Sequence, residues 1–505
     1  MLVVFVLVEI PAVRENLIRR SEALLEERLG TRVDIARVDI DFPAVFSMKQ
    51  LTVSDQQNIE FIKVRDFRVN AISVSFWDFI LRPRDKKDIS IGSVRVVGPD
   101  IFLYKRSCDS LLNAAFIAEA FDDGDTTESP NMIRLNITTL RIQDGHFRWV
   151  DSVSVMRDSV GPGYVNYHNL DIDSLETDLS ARYEGSENFD LQLARVSLRE
   201  NLSGFKLDHL SCTATSEKSG LPGEAKGSVL LNDLSLRQGN TWIKADFRFP
   251  GQTIPDIFDS RTFRYEAQLS KDNRLDFSSL DYFLTHKLPV KGVVYAEGPV
   301  SGTADLIESP GLSIRYLDDT RIFTALSITH PTSDVEAVMK ARIDDSQVSF
   351  RELAQMLPGV TVPAFMQALA PLKIQGAFDG HFYDFTSQVK AVSEWGNVQA
   401  DLHLSMPPLD SVMSYQGTIS TENLNINALS LEKTQISERL TLSGTLSGKG
   451  EELKTLVADA NLSLHDSDLF GYAVDTLHTV VHLDKGTLTG QVQGSDGQGE
   501  ADIQA

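Results

Sequence analysis

Leu440-Thr-Leu-Ser-Gly-Thr-Leu-Ser-Gly448 alternates apolar or glycine positions with small polar ones. A helix gathers residues three and four apart on one face, whereas a strand gathers every second residue. The stretch therefore reads as a strand with Leu440, Leu442 and Leu446 on one side. The same opening, Leu-x-(Val/Ile/Leu)-x-Gly, occurs at Leu288-Pro-Val-Lys-Gly292 and Leu372-Lys-Ile-Gln-Gly376. Further glycines follow at Gly298, Gly380 and Gly448. Glycine at such a point permits a turn, a bulge or close backbone approach. The copies are unevenly spaced, which suggests elaborated repeats rather than a solenoid of fixed period.

Similar alternation surrounds these phrases. Val398-Gln-Ala-Asp-Leu-His-Leu-Ser-Met406 puts Val398, Ala400, Leu402, Leu404 and Met406 on one face. Phe247 and Phe249 follow Ala245 at the same period, and Leu477, Val481 and Leu483 share a parity with Thr479 between them. Short alternating runs at roughly ten-residue intervals argue an all-β architecture, and one dry face per run argues antiparallel pairing. The expected fold is mainly β: an elongated, curved, antiparallel-rich sheet forming a groove (β-taco-like), with short interspersed helices. The apolar residues named here are the candidate groove lining.

Towards the N-terminus the pattern changes. Met1 to Val8 is an apolar run too short for a membrane span, which needs roughly 20 residues. It reads as the end of a truncated membrane anchor over residues 1–10, or as a buried first strand. Pro11 to Leu29 reads as an amphipathic helix stopped by Gly30, with Leu17, Ile18, Leu24, Leu25 and Leu29 in one stripe and arginines beside it. Such a helix either lies along headgroups or covers the first sheet edge. Strands are expected from Thr31 to Arg106, a helix at 111–121 and an acidic loop from Asp122 to Pro130. Ile89 through Tyr104 and Leu135 through Trp149 echo one another: strand, glycine, aromatic-rich strand. Ser349-Phe-Arg-Glu352 has the form of a capping box opening a helix. Residues 278–287 hold the corresponding place before the first glycine phrase. The domain reading is anchor 1–10, helix 11–30, an N-terminal β region 31–151 and a repeated β region 152–505 that continues beyond this sequence.

Composition narrows the function classes. The formal net charge is −23, with 71 acidic against 48 basic residues. That disfavours nucleic acid, whose binding rests on basic surface. Cys108 and Cys212 are the two cysteines, too few for a disulfide framework, and both a single bridge and two free thiols remain open. His478 and His482 are four apart in a strand-like context, where four residues span roughly 13 Å, too far for one metal ion. Gly444 to Gly450 lacks the spacing and the hydroxyl of a phosphate loop. The aspartates at 122, 123 and 125 lack calcium-loop spacing. No GxSxG or HExxH motif occurs. No cofactor and no catalytic residue is predicted.

Residues 1–151 resemble the N-terminal region of the AsmA-like superfamily, most closely its TamB-type translocation and assembly module proteins of Gram-negative bacteria. The carriers are the apolar stub, the amphipathic helix, Leu29-Gly-Thr-Arg-Val-Asp-Ile35 with Val38, Leu51-Thr-Val-Ser-Asp55, Ile89 through Tyr104 and the 135–151 phrase. The strands at 440–448 are similar to the family's repeats. The short anchor and the missing C-terminal domain depart from the pattern and fit a fragment. The resemblance implies a cell-envelope protein anchored in the inner membrane and crossing the periplasm, with membrane phospholipids as partners in lipid transport. Its alternative implication is a scaffold for outer-membrane biogenesis acting with a barrel protein. About 25 strands stacked at about 4.8 Å would span on the order of 120 Å.

Overall fold

The computed structural model describes residues 11–504 apart from 42–44, 71–87, 106–111, 117–133, 153–162, 185–187, 218–226, 258, 285–289, 332–335, 359–361, 363, 368, 382, 407–411, 430–436, 451–454 and 496–499. The expectations for residues 1–10, for most of the 111–121 helix and for the acidic loop lie outside the described residues, as does Cys108. The protein is mainly β, with long, curved, mostly antiparallel sheet and few short helices. The chain divides into two compact units, Met1–Tyr265 with Ser278–Leu288, and Glu266–Phe277 with Pro289–Ala505. Residue 151, the expected limit of the N-terminal β region, ends a strand inside the first unit.

In the first unit, α1 (Pro11–Leu29) precedes β1 (Val33–Asp41), β2 (Val45–Ser54), β3 (Glu60–Asn70), β4 (Asp88–Lys105), β5 (Arg134–Asp151), β6 (Asn169–Tyr183), β7 (Phe189–Glu200), β8 (Lys206–Glu217), β9 (Ser228–Gln238) and β10 (Thr241–Phe249). Consecutive strands pair antiparallel, with one exception. β4 and β5, the two echoing phrases, are parallel neighbours, with Val94 opposite Leu140 and Leu103 opposite Trp149. A parallel pair needs a long crossover rather than a hairpin, and residues 106–133 connect these two strands. Like phrases thus meet in like orientation.

Helix α1 ends as expected, where Gly30 at φ 64 donates its N–H to the Glu26 carbonyl. Ile18, Leu25 and Leu29 pack on a core of Val33, Ile35, Val38, Phe46, Met48, Val53, Phe61 and Phe116. The carboxylates of Glu22 and Glu26 accept the backbone N–H groups of Ile35 (2.9 Å) and Val33 (3.1 Å). Of the two readings of this helix, the residues that are described place it over the sheet edge. Buried Asp55 locks the β2–β3 turn by accepting the N–H groups of Gln57 and Ile59 and the Tyr104 hydroxyl at 2.6 Å.

The first unit also carries α2 (Ile254–Ile257), and β11 (Arg264–Leu269) contains the division between Tyr265 and Glu266. The second unit carries β12 (Arg274–Asp276), β13 (Val293–Thr303), β14 (Leu306–Tyr316), β15 (Thr320–Thr329), β16 (Val338–Val348), α3 (Phe350–Met356), α4 (Ala364–Gln367), β17 (Leu372–His381), β18 (Asp384–Ser393), β19 (Gly396–Ser405), β20 (Ser414–Leu424), α5 (Ile426–Leu429), β21 (Leu440–Lys449), β22 (Val457–Leu469), β23 (Tyr472–Asp484), β24 (Thr487–Ser495) and β25 (Glu500–Gln504). From β12 to β25 every strand pairs antiparallel with the next. Two of the three glycine phrases open strands, β17 and β21; Gly292 of the first stands just before β13.

The predicted capping box is corrected by a tertiary contact. Ser349 is the N-cap of α3 with extended backbone, but its side chain makes no cap hydrogen bond. Its N–H donates instead to the Thr320 hydroxyl. The Glu352 carboxylate does not reach back to Ser349; it accepts the N–H groups of Asp318, Asp319 and Thr320 at 2.8–3.1 Å. The β14–β15 turn presents three converging backbone donors to this carboxylate, which serves the turn in place of its own helix end.

Candidate functional site: an apolar sheet face

The register of β19 to β23 assembles the candidate residues into rows. One row runs Leu404, Tyr415, Gly448, Ala458, Leu483, and the next runs Leu402, Gly417, Leu446, Ala460, Val481. A third runs Ala400, Ile419, Gly444, Leu462, Thr479, and a fourth Val398, Thr421, Leu442, Leu464, Leu477. On the other side of β19 the four rows continue through Phe385, Ser387, Val389 and Ala391 of β18, Ser387 being polar. Every second-unit candidate except Met406 and Leu440 falls on one of the four rows. Met406 follows β19, its N–H bound to the Tyr383 carbonyl. Leu440 is buried at the start of β21 opposite Leu424.

Glycine and bulky residues alternate across the strands. Gly417 lies between Leu402 and Leu446, and Gly444 lies between Ile419 and Leu462. A Cβ on Gly417 would stand 2.0 Å from the Asp401 carbonyl oxygen, and one on Gly444 2.1 Å from that of Asn461. The backbones approach so closely there that no other residue fits. Two of the repeated phrases end on such a glycine, Gly444 and Gly376, whose Cβ would stand 2.1 Å from the Gln388 carbonyl oxygen.

The face is incompletely covered. Leu402, Leu442, Leu446, Leu477, Val481 and Leu483 are all half-buried, while Leu464 and Leu440 are buried. Among the described residues, the clusters of buried hydrophobics lie in the first unit. Phe247 and Phe249 belong to one of them. Phe249 packs with Phe189, Ala214 and Val229, and Phe247, Phe263 and Tyr265 close over it, ring centroids 5.6–6.5 Å apart. These two candidates occupy a packed aromatic core and not an open face.

The opposite side of the same strands is polar. His403, Gln416, Ser447, Asp459 and His482 follow one another in register. His403 pairs with Asp384 at 2.6 Å and His482 with Asp459 at 2.7 Å. His478, on the same strand face as His482, meets Ser463 at 3.1 Å with no carboxylate on its other nitrogen among the described residues. A broad concavity of about 720 Å³ opens beside this row, lined by His403, Ser414, Gln416, Ser447, Lys449 and Asp459. Among the described residues there is no group of three metal-ligating side chains. Nor, among them, is any helix long and apolar enough to cross a membrane, which says nothing of strands.

The sequence reading missed Tyr415, Ile419, Leu462 and Leu464 as members of the rows. Their signal was present in the alternation of Tyr415 through Ile419 and Ala458 through Leu464. A scan against family models and searches of curated proteins and of solved structures each found no match to this chain.

Proposed function

We propose that the protein is a non-enzymatic, inner-membrane-anchored periplasmic bridge of the AsmA-like, TamB-type class, carrying phospholipid towards the outer membrane along an apolar sheet face. The observation that supports this reading is the set of four in-register rows from β18 to β23, half-buried and polar on the reverse side. Burying one methylene is worth about 0.8 kcal/mol, so a 16-carbon acyl chain in water costs roughly 12 kcal/mol. A half-covered wall of Leu, Val, Ile and Phe offsets much of that cost with no covalent step, while the headgroup stays in water. The glycines at 417, 444 and 448 are staggered among bulky side chains, leaving gaps in the wall.

A second reading is a scaffold for outer-membrane protein assembly with a barrel partner. The filled aromatic core around Phe249 favours it for the first unit. Photoreactive residues at 402, 446 and 481, against 403 and 447 on the reverse face, separate the two readings. Transport predicts lipid adducts at the first set, lost in Leu402→Arg. Equal labelling of both sets, or none, removes the lipid reading.

A further inference from the structure

A row of three arginines crosses the first unit. Arg68 of β3 stands opposite Arg95 of β4, and Arg95 opposite Arg141 of β5. Neighbouring strands lie about 4.8 Å apart, and like charges directly opposite one another destabilise a sheet. In a chain of net charge −23 such a row is not explained by composition. The two outer members carry acidic partners, Asp66 on Arg68 at 2.7 Å and Asp178 on Arg141 at 2.5 Å. Arg95, exposed between them, has no acidic partner among the described residues.

One step along the same strand faces lies a second row: Asn70 opposite Ser93, and Ser93 opposite Thr139. All six residues line one concavity of about 290 Å³, together with Val45 and Val94. That is about ten times the share of liquid volume taken by one water molecule. The register therefore gathers one guanidinium without an acidic partner among the described residues, two guanidiniums paired with aspartates and three neutral hydrogen-bonding groups. A guanidinium fork matches two oxygens of a phosphate, and charge-assisted bonds of this kind are the strong ones. A polyanion is disfavoured by the acidic remainder of the surface; a single tetrahedral anion is not.

We propose that the Arg68–Arg95–Arg141 row is a binding site for one phosphate group, with Arg95 as its anchor and Ser93 and Thr139 as neutral donors. The chemistry is shared by free phosphate and by a phospholipid headgroup. The site lies wholly within the first unit and stands whether or not the second unit carries lipid.

The test uses the full chain, titrated with inorganic phosphate by calorimetry and sedimented with vesicles of phosphatidylglycerol or phosphatidylcholine. Arg95→Gln is expected to weaken binding at least tenfold, and Ser93→Asp, which sets a carboxylate beside Arg95, to abolish it. Lys340→Gln, which removes a cation from the second unit, is expected to change nothing. Binding of inorganic phosphate identifies the free anion as sufficient, and binding of vesicles alone identifies the headgroup as the source. The site is overturned if the protein binds neither, if Arg95→Gln and Ser93→Asp both bind as wild type does, or if Lys340→Gln loses as much as they do.

Discussion

Glu26 holds the backbone N–H of Val33 at 3.1 Å, and Glu22 holds that of Ile35 at 2.9 Å. Alternate N–H groups of β1 point away from β2, and helix α1 supplies carboxylates where a further strand would otherwise pair. An uncovered edge is a template for association. Each such bond to a charged group contributes about 1.5–3 kcal/mol. The double variant Glu22→Ala/Glu26→Ala is expected to speed hydrogen exchange at Val33 and Ile35 and to promote association through the edge. Unchanged exchange at both amides would show that the helix covers the edge by packing alone.

Glu352 is the corresponding device in the second unit. Burial acts to raise its carboxyl, but the Thr320 hydroxyl and the N–H groups of Asp319, Asp318 and Thr320 outweigh it, and the group is held below its usual value of 4.5. A depressed carboxyl stabilises the fold above the unfolded value and loses that contribution as pH falls through the folded one. Glu352→Gln is expected to cost about 2 kcal/mol at pH 7. The gap between wild type and variant in denaturant unfolding should shrink as pH falls below 4.5. A gap independent of pH would mean that the carboxylate charge is not what holds the turn.

Gly417 separates Leu402 from Leu446, and its missing Cβ admits the Asp401 carbonyl oxygen. Gly417→Val must part β19 from β20, and overpacking of this kind costs about 1–3 kcal/mol or more. Gly311, whose Cβ would meet nothing within 4 Å, is the control. Gly311→Ala should leave the thermal midpoint within a few degrees of wild type while Gly417→Val lowers it clearly. Equal midpoints would dispose of the close-approach argument.

Cys212 is half-buried on β8 as a free thiol, and burial pushes its pKa up from the ordinary value. The thiolate is the reactive form. At pH 8 alkylation of Cys212 by iodoacetamide should be slow in the folded protein and rise on unfolding in urea. Peptide mass spectrometry follows the site directly, and faster reaction in the folded state would contradict the assigned environment.

Much of the fold was legible because it is written at short range. The bounds of α1 follow from Pro11, the apolar stripe and Gly30. The strands follow from period-two alternation, and the rows could be drafted from parity alone, as Val398 through Leu404 and Leu442 through Leu446 demonstrate. Phe247 and Phe249 have the same alternation as Leu402 and Leu404, yet one pair is packed among aromatic rings and the other lies on a half-covered face. Alternation states that a side is apolar; it does not state what covers it.

The sequence by itself determined the strand character and the apolar parity, because these depend on residues within a few positions of one another, whereas pairing with Asp401 and Asn461 decided that Gly417 and Gly444 admit no side chain. Only the tertiary structure decided that the echoing phrases at 89–104 and 135–149 lie parallel, that Glu352 serves a turn more than thirty residues away in place of its own helix cap, and that Arg68, Arg95 and Arg141 stand side by side. Register sets each of these, and register is a property of paired strands: a shift of one residue would turn every side chain to the other face. The repeated Leu-x-Leu-x-Gly phrase carries the periodicity that builds the wall, and the pairing of its strands decides which residues become neighbours on it.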